Sequence, residues 1–342
     1  MLQKQKHILL RNVAIRPNLF QFLRLTTRTG NGTTRRSITA VFKPNTNLSR
    51  SEFVSRVIGR SCYYFEIKHF NISSMAQSKF EYVRKFESDD RCLPNCWMVV
   101  RLDGKGFHKL SSEHDYDKPN DSRALALMTK SAVRVMEEFN EICLAYGQSD
   151  EYSFVFKKDS ELYNRRKTKI ETNICSLFSS SFVYYWSNFF PQTYLKYPPS
   201  FDGRVVLYPT NQNLRDYLSW RQADCHINNL YNTAFWALVQ QGGYSPSKAE
   251  ERLRGTVASD KNEILFSEFG INYNNLPELY RKGTILLRRK VEQEHEKNVV
   301  GQNGMVETQR YTKRRMTILP LNVDIIGDKF WEENNDILGS YM

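Results

Sequence analysis

The 342-residue sequence predicts an α+β protein in which strands and long helices follow one another in the order β-α-β-β-α-β. Three observations lead to this class. Short β-type runs end at turn residues, and long segments carry apolar residues at helical spacing. With 40% apolar and 13% aromatic residues, the chain can also build a packed core. No run of about 18 apolar residues occurs, so we expect no membrane-spanning helix.

The first strand and the first long helix are read from residues 97–142. Residues 97–102 form a β-type run that Asp103-Gly104-Lys105-Gly106 interrupts. Asn120, Asp121 and Ser122 then offer N-caps, and the apolar residues of 123–142 recur at helical spacing. This stretch therefore predicts a strand followed by a helix.

The remaining elements of the unit are a hairpin, a helix and a last strand. Strand-like runs at 143–146 and 152–156 flank a turn at 147–151. A second long helical region covers about 162–190, and residues 204–208 form another strand. The complete order is that of a ferredoxin-like α+β sheet.

Further helices and a terminal hairpin follow this unit. Residues 214–241 predict a third long helix, and shorter helices continue to about residue 269. Residues 283–291 and 311–319 can pair as a β-hairpin around a polar loop at 292–310. We therefore divide the chain into an N-terminal extension (1–74), a domain that contains the β-α-β-β-α-β unit (75–210) and a helical C-terminal region with the hairpin (211–342).

The positive charge is concentrated in the N-terminal extension. The net charge of the chain is +12, and residues 1–74 hold 13 Lys and Arg against only two acidic residues. An Arg-rich, Ser/Thr-rich and acid-poor segment is typical of a mitochondrial transit peptide. A disordered basic arm, or translation from Met75, would explain the same composition. We expect a protein of the cytoplasm or nucleus that residues 1–74 can direct to mitochondria.

Two aspartates are the first candidates for chemistry. Asp103 ends the first strand, and Asp150 lies in the turn between the next two, with Glu151 beside it. Because the first and third strands of such a sheet are neighbours, these carboxylates should meet at one edge, where hard divalent cations such as Mg²⁺ offset their repulsion. A two-ion site would suit phosphoryl chemistry. Alternatively, Asp103-Gly104 and Ser149-Asp150 are ordinary turn residues.

Other polar residues could complete such a site. Gly104 and Gly106 allow the backbone to approach a triphosphate, and Ser149 could add a hydroxyl. The 118–122 stretch combines a cation with a helix N-terminus, which favours phosphate, although simple capping explains it too. In the third long helix, His226, Asn229 and Asn232 recur every three residues. Contact with RNA or a nucleotide, or an exposed polar face, would account for that pattern.

Several sequence words occur together in an order that resembles a known family. They are Arg101-Leu102-Asp103-Gly104, Lys118 to Arg123, Gly147 to Phe154, Ser219 to Asn232, Asp260 to Phe266, and Tyr280 to Gly283. From about Met75 to the C-terminus, the chain resembles eukaryotic tRNA-histidine guanylyltransferases. Residues 1–74 lie outside the resemblance.

The resemblance implies an enzyme that adds one guanosine to the 5′ end of tRNA-His. ATP would adenylylate the 5′-phosphate, the 3′-hydroxyl of GTP would attack it, and pyrophosphate would be removed from the added nucleotide. The fold would resemble the palm of polymerases and nucleotide cyclases, and the working form would be a homotetramer. A nucleotide cyclase on the same palm and a non-catalytic RNA-binding protein are the alternatives.

The resemblance also assigns roles to residues of this sequence. Two Mg²⁺ ions would be held by Asp103, Gly104 and Asp150, with Glu151 as a supporting catalytic acid. GTP would be bound by Asp103, Gly104, Lys105, Gly106, Phe107, His108, Ser149 and Asp150. The triphosphate or the tRNA would be bound by Lys118, Asn120, Arg166, Lys169, His226, Asn228 and Asn229.

Overall fold

The structure is a computed structural model that describes residues 7–12, 21–28, 36–42, 78–300 and 306–339. The chain divides into two units, Met1–Phe86 and Glu87–Met342. The first unit contains a three-stranded antiparallel sheet of consecutive strands, followed by a 3₁₀ helix at Glu81–Phe86. Its strands are β1 (His7–Asn12), β2 (Gln21–Arg28) and β3 (Arg36–Phe42). Whether residues 1–74 act as a transit peptide or a basic arm stays a prediction.

The second unit is built on one six-stranded antiparallel sheet. Its order is β7-β4-β6-β5-β8-β9. The strands are β4 (Trp97–Lys105), β5 (Ile142–Gln148), β6 (Glu151–Phe156), β7 (Ser200–Tyr208), β8 (Thr284–Val300) and β9 (Val306–Leu321). This confirms the predicted mixture of helices with one antiparallel sheet. It also confirms that the strands that carry Asp103 and Glu151 are neighbours in that sheet.

Eight α-helices connect and cover the strands in the part of the chain that the structure describes. They are α1 (Phe107–Glu113), α2 (Ser122–Glu138), α3 (Lys167–Phe189), α4 (Asn211–Gln240), α5 (Pro246–Leu253), α6 (Ala258–Phe269), α7 (Glu278–Lys282) and α8 (Asp328–Glu333). The predicted capping holds for α2, and α4 has a side-chain cap that was not predicted. The Asp121 carboxylate accepts from the backbone N–H groups of Arg123 and Ala124, and the Thr210 hydroxyl accepts from the N–H of Asn213. No helix in the described residues is long and apolar enough to cross a membrane.

The two faces of the sheet bury different helices. Alternating residues such as Val100, Leu102 and Phe154 pack with the apolar sides of α2 and α3. The opposite residues, including Val99 and Val155, pack with the first turns of α4 and with the chain around α8. The far half of α4 forms a third cluster with α5 and α6. Helix α4 is thus the element that both covers one face of the sheet and extends beyond it.

Two predicted boundaries are wrong. Strand β4 does not stop at Asp103, because Gly104 and Lys105 still pair with Phe201 and Ser200 of β7. Residues 292–310 are largely strand and not a polar loop, since β8 and β9 pair from Ile285 to Val300. Oppositely charged side chains face each other across this ribbon, as in Glu296 with Arg310, so its polar residues stabilise pairing in solvent. The hairpin itself is confirmed, and it extends the central sheet through pairing of β8 with β5.

Candidate active site

A row of acidic residues crosses the sheet at the end of β4. Asp103 is the direct cross-strand partner of Glu151 on β6 and of Asp202 on β7. Because opposite residues on antiparallel strands point to the same face, the three carboxylates share one side of the sheet. By strand alternation this is the side that also carries Val99, which α4 covers. Asp103 therefore lies where a ligand could sit between the sheet edge and α4.

The tight turn between β5 and β6 brings Asp150 to the same place. Ser149 has a φ of 47°, a left-handed conformation that is unusual for a residue with a side chain. The backbone N–H of Gly104 donates to the carbonyl oxygen of Asp150 at 3.1 Å, which fixes the turn against β4. The Ser149 hydroxyl donates to Oδ1 of Asp150 at 3.0 Å. The predicted convergence of Asp103 and Asp150 is thus present in the backbone of the turn.

The electrostatics of Asp150 agree with this convergence. Burial raises the pKa of Asp150, and the negative charge of Asp103 raises it further, while the hydrogen bond from Ser149 opposes the rise. Two carboxylates that repel each other in a partly buried site disfavour their own ionisation. A cation at this position would remove that cost.

Glu151 has a different environment, because it is paired with an arginine of α4. The Arg221 guanidinium donates to Oε2 of Glu151 at 2.9 Å, and both side chains are almost completely buried. Burial raises the pKa of Glu151, and the positive charge of Arg221 opposes this. Oε1 of Glu151 has no hydrogen-bond partner among the described residues. Arg221 also lies 3.5 Å from Asp224 and 3.5 Å from the centre of the Trp220 ring.

The acidic row opens into a cleft of about 350 Å³. Its floor and turn side contain Asp103, Gln148, Ser149, Asp150 and Glu151, and its other walls contain Pro119, Asn120, Leu125, Asp224, Cys225, Asn228, Asn229, Asn232, Leu279 and Tyr280. The size is within the range of small-molecule sites. Most of the polar groups in the walls are carboxylates and amides, so the cleft suits a polar ligand that is bound together with a cation.

A chain of hydrogen bonds connects the amides of the cleft. Nδ2 of Asn120 donates to Oδ1 of Asn229 at 2.9 Å, and Nδ2 of Asn229 donates to the hydroxyl of Tyr273 at 3.0 Å. That hydroxyl donates to the backbone carbonyl of His226 at 3.3 Å. The His226 ring packs edge-on against Tyr273, and burial, followed by the charge of Arg281, lowers the pKa of His226.

The predicted GTP-binding stretch borders the cleft without lining it beyond Asp103. Lys105, Gly106 and His108 are exposed where β4 passes into α1. Gly106 has a φ of 69°, which suits glycine at this helix start. Phe107 packs against Phe182 and Phe201 in the core, so its ring supports the turn. The role of this stretch in binding GTP stays a prediction.

The predicted cations are not gathered in the cleft. Nζ of Lys118 donates to the Ser111 hydroxyl at 2.8 Å, and burial lowers its pKa. Lys169 lies over the ring of Tyr163. Arg166 pairs with Asp90 at 3.5 Å. The structure therefore separates Lys118, which follows α1, from Arg166 and Lys169 at the start of α3, and their roles toward a triphosphate or tRNA stay predictions.

Asp103 and Asp150 are ligands of the type that Mg²⁺ prefers, but they are few in number. No group of three or more Asp, Glu, His or Cys side chains suited to a metal ion occurs in the described parts of the chain. Mg²⁺, however, is commonly bound by one or two carboxylates together with substrate phosphates and water. Asp103 and Asp150, with the carbonyl of Gly104, are a donor set of that kind.

The sequence reading missed Arg221, Asp224 and Tyr280. Arg221 and Asp224 lie on α4 at helical spacing from Asn228 and Asn232, so the polar stripe along that helix was the available signal. The ion pair of Arg221 with Glu151 spans 70 residues of sequence and gave no local signal. Tyr280 lies at the cleft rim on the short helix α7.

Neighbouring carboxylates at a polar cleft can hold the paired divalent ions with which polymerases, nucleases and phosphatases act on phosphate groups. The fold and the site therefore define an enzyme of phosphoryl or nucleotidyl transfer. Comparison with known proteins agrees with this class. A tRNAHis guanylyltransferase family model matches residues 80–209, and a model of the Thg1 C terminal domain matches residues 212–327. The chain belongs to the tRNA(His) guanylyltransferase family, whose members are nucleotidyltransferases.

Individual relatives show the extent of the similarity. A probable tRNA(His) guanylyltransferase of Bos taurus is 60% identical over 267 residues, which cover 78% of this chain and 90% of that protein. The tRNA(His) guanylyltransferase of Schizosaccharomyces pombe is 52% identical over 257 residues, 75% of this chain and 96% of that protein. The crystal structure of the Saccharomyces cerevisiae enzyme superimposes with a TM-score of 0.59 at 50% identity and covers 61% of this chain and 93% of that one.

More distant structures share the fold. A bacterial tRNA(His) guanylyltransferase-like protein in complex with ATP superimposes with a TM-score of 0.52 at 20% identity, over 67% of this chain and 90% of that one.

Proposed function

We propose that this chain adds one guanosine to the 5′ end of tRNA-His and uses ATP and GTP to do so. The family membership and the names of its relatives support this activity. Bacterial guanylyltransferase-like proteins of the same fold bind ATP and GTP. The observation that carries the proposal is the meeting of Asp103 and Asp150 at the edge of the cleft.

The strand order supports a palm-like, ferredoxin-like catalytic domain. The β-α-β-β-α-β unit consists of β4, α2, β5, β6, α3 and β7, and its four strands lie in the order β7-β4-β6-β5. The two crossover helices pack on one face, which leaves the other face at the end of β4 for α4 and the cleft. We infer that the catalytic face is the one that carries Asp103.

The proposed reaction has three steps. The 5′-phosphate of the tRNA attacks ATP, and an adenylylated 5′ end forms with loss of pyrophosphate. The 3′-hydroxyl of GTP then attacks that activated phosphate, and AMP leaves. Finally, water attacks the α-phosphate of the added guanosine, and pyrophosphate leaves.

The residues of the cleft would bind and orient the reacting groups. The Ser149 hydroxyl donates to Asp150 and so holds that carboxylate in place, and the amides of Asn120 and Asn228 can bind phosphate or ribose. Helix α4 covers the side of the sheet that carries Asp103 and contributes one wall of the cleft. Arg221 offsets the charge of Glu151, so the uncompensated charge lies on Asp103 and Asp150.

The proposed metal ligands are the carboxylates of Asp103 and Asp150 and the carbonyl of Gly104. Two Mg²⁺ ions at these ligands would neutralise phosphate charge and favour ionisation of the attacking hydroxyl. The residues from Asp103 to His108 would contact GTP, and Lys118, Arg166, Lys169 and His226 would contact the triphosphate or the tRNA.

We also propose two properties beyond the reaction. Residues 1–74 direct the protein to mitochondria, on the basis of their Arg-rich and acid-poor composition. The enzyme works as a homotetramer, as the family resemblance implies, in the cytoplasm or nucleus where the extension is not used.

The test is nucleotide addition to a defined RNA. A 5′-monophosphorylated tRNA-His transcript is incubated with ATP, labelled GTP and Mg²⁺, and the product is resolved on a sequencing gel. One added guanosine at the 5′ end is the expected result. Binding without extension, or formation of a cyclic nucleotide, would contradict the proposal.

A further inference from the structure

We propose that Asn229 and Tyr273 are positioning residues that fix the orientation of the Asn120 amide in the cleft. This inference rests on the proposed function, because it takes Asn120 as a substrate contact. Neither Asn229 nor Tyr273 needs to touch substrate for it. They act through a chain of hydrogen bonds that begins at the cleft and ends on the backbone of α4.

The hydrogen-bonding capacity of Asn229 is committed to its neighbours. Its Oδ1 accepts from Nδ2 of Asn120 at 2.9 Å, and its Nδ2 donates to the Tyr273 hydroxyl at 3.0 Å. The residue is only 6% exposed. A buried amide with both ends bonded within the protein presents little to a ligand, which distinguishes it from the exposed Asn228 on the same cleft wall.

The Tyr273 hydroxyl determines which group donates and which accepts in each of these hydrogen bonds. It accepts from Asn229 and directs its single proton at His226, whose carbonyl oxygen lies at 3.3 Å and whose ring Nδ1 lies at 3.5 Å. Asn229 must therefore turn its oxygen toward Asn120, and Asn120 must turn its nitrogen toward Asn229. The ring of Tyr273 is 3% exposed, so the hydroxyl cannot move away from this position easily.

The consequence falls on Asn120. Its Oδ1 forms no hydrogen bond within the described residues, and the residue lines the cleft. With Nδ2 held by Asn229, the carbonyl oxygen and one remaining N–H of Asn120 stay available to substrate in a single orientation. Without the chain, the amide could rotate and exchange donor for acceptor.

This series of hydrogen bonds also connects the two segments of the protein that the family models match separately. Asn120 belongs to the matched segment 80–209, whereas Asn229 and Tyr273 belong to the segment 212–327. The C-terminal segment thereby contributes to the geometry of the catalytic cleft without supplying a reacting group. This predicts that a change at Tyr273 alters substrate binding at a distance.

The experiment is a double-mutant cycle on the full-length protein. Tyr273→Phe removes only the hydroxyl, Asn120→Ala removes the proposed contact, and the third variant carries both changes. Kd for ATP, GTP and tRNA-His is measured by titration, and kcat and KM are measured in the guanosine-addition assay. Tyr244→Phe is the matched control, because it also removes a hydroxyl that is bonded within the helical region, to Arg252, and Tyr244 is not among the cleft residues.

We expect Tyr273→Phe to weaken binding of the substrate that Asn120→Ala also weakens, by roughly three- to tenfold, the worth of one ordinary hydrogen bond. KM should rise with Kd, kcat should change by less than about twofold, and Tyr273→Phe should have no further effect in the Asn120→Ala background. Tyr244→Phe should match the wild type. Asn229→Ala provides a second entry to the same cycle if Tyr273→Phe melts too early to assay.

Three results would overturn the positioning role. The effects of Tyr273→Phe and Asn120→Ala could multiply independently, Asn120→Ala could leave every Kd unchanged, or Tyr273→Phe could lower kcat alone in proportion to the unfolded fraction. A wild-type enzyme that binds these substrates but adds no guanosine would instead refute the proposed function, and the Kd cycle would still decide the role of Tyr273.

Discussion

The buried ion pair between Arg221 and Glu151 predicts a large and specific loss of stability when either partner is removed alone. The pair is 2.9 Å apart, and the two side chains are 6% and 11% exposed. At an effective dielectric constant of about 20, this separation corresponds to a Coulomb attraction of about 6 kcal/mol. Desolvation of both charges offsets much of that attraction in the intact pair.

Removing one partner leaves the other charge buried without compensation. Arg221→Met is therefore expected to lower the free energy of unfolding by about 3–5 kcal/mol. Asp224, 3.5 Å away, would lose the same partner but is more exposed. The double variant Arg221→Met with Glu151→Gln removes both charges and should recover most of the loss, although it would be inactive if Glu151 supports catalysis.

The assay is urea unfolding of the single and double variants at pH 7, with the midpoint and slope fitted separately. The buried location also predicts that 0.5 M salt changes the loss little, unlike that of the exposed pair between Arg134 and Glu138. An Arg221→Met variant that loses less than about 1 kcal/mol would refute the reasoning, because a buried charge would then have found other compensation.

Four further outcomes are expected. Asp103→Asn and Asp150→Asn should abolish guanosine addition with an unchanged circular dichroism spectrum; retained activity would remove the residue from the site. Burial and the charge of Asp103 raise the pKa of Asp150, so ionisation of this carboxyl destabilises the fold as pH rises through that pKa. Asp150→Asn should therefore have a higher melting temperature than the wild type at pH 7 without divalent ions, and the difference should vanish below about pH 4. A lower melting temperature of Asp150→Asn at pH 7 would contradict a raised pKa. Gly283→Ala should cost about 2–3 kcal/mol in urea unfolding, since Gly283 has a φ of 71° and an added Cβ would lie 2.6 Å from the carbonyl oxygen of Gly147; near-neutral stability would show that the turn can relax. Deletion of residues 1–74 should leave guanosine addition unchanged and remove a fluorescent fusion from mitochondria, and a loss of tRNA affinity would make the segment a binding element.

The order of the main strands and long helices between residues 97 and 241 was predictable because each has a local signal, whereas the short helix α1 was not predicted. Apolar residues at helical spacing identify α2, and a carboxylate at the N-cap position, Asp121, marks its start. The convergence of Asp103 and Asp150 followed from strand neighbours alone, since a hairpin turn must lie beside the strand that pairs with it. The glycine after Asp103 suggested a stop, yet pairing of Gly104 and Lys105 with β7 kept β4 extended to Lys105.

The roles that depend on tertiary contacts were not predictable. The sequence places Arg221 one turn before Cys225 on a helix, but nothing local shows that it meets Glu151 on a strand. Asn229 was expected to bind RNA or a nucleotide because buried amides need partners, and its partners proved to be Asn120 and Tyr273. The family resemblance assigned Lys169 to the triphosphate or the tRNA, and its position at the start of α3 depends on how that helix packs.

Because Trp220 stacks on the Arg221 guanidinium, its fluorescence can report on the acidic residues beside the cleft. The chain has five tryptophans, of which Trp97, Trp186 and Trp331 are buried, whereas Trp220 is 55% exposed. Acrylamide will therefore reach the Trp220 indole before those three. Since the neighbouring guanidinium is bonded to Glu151, intrinsic emission can follow events among the acidic residues without an attached dye.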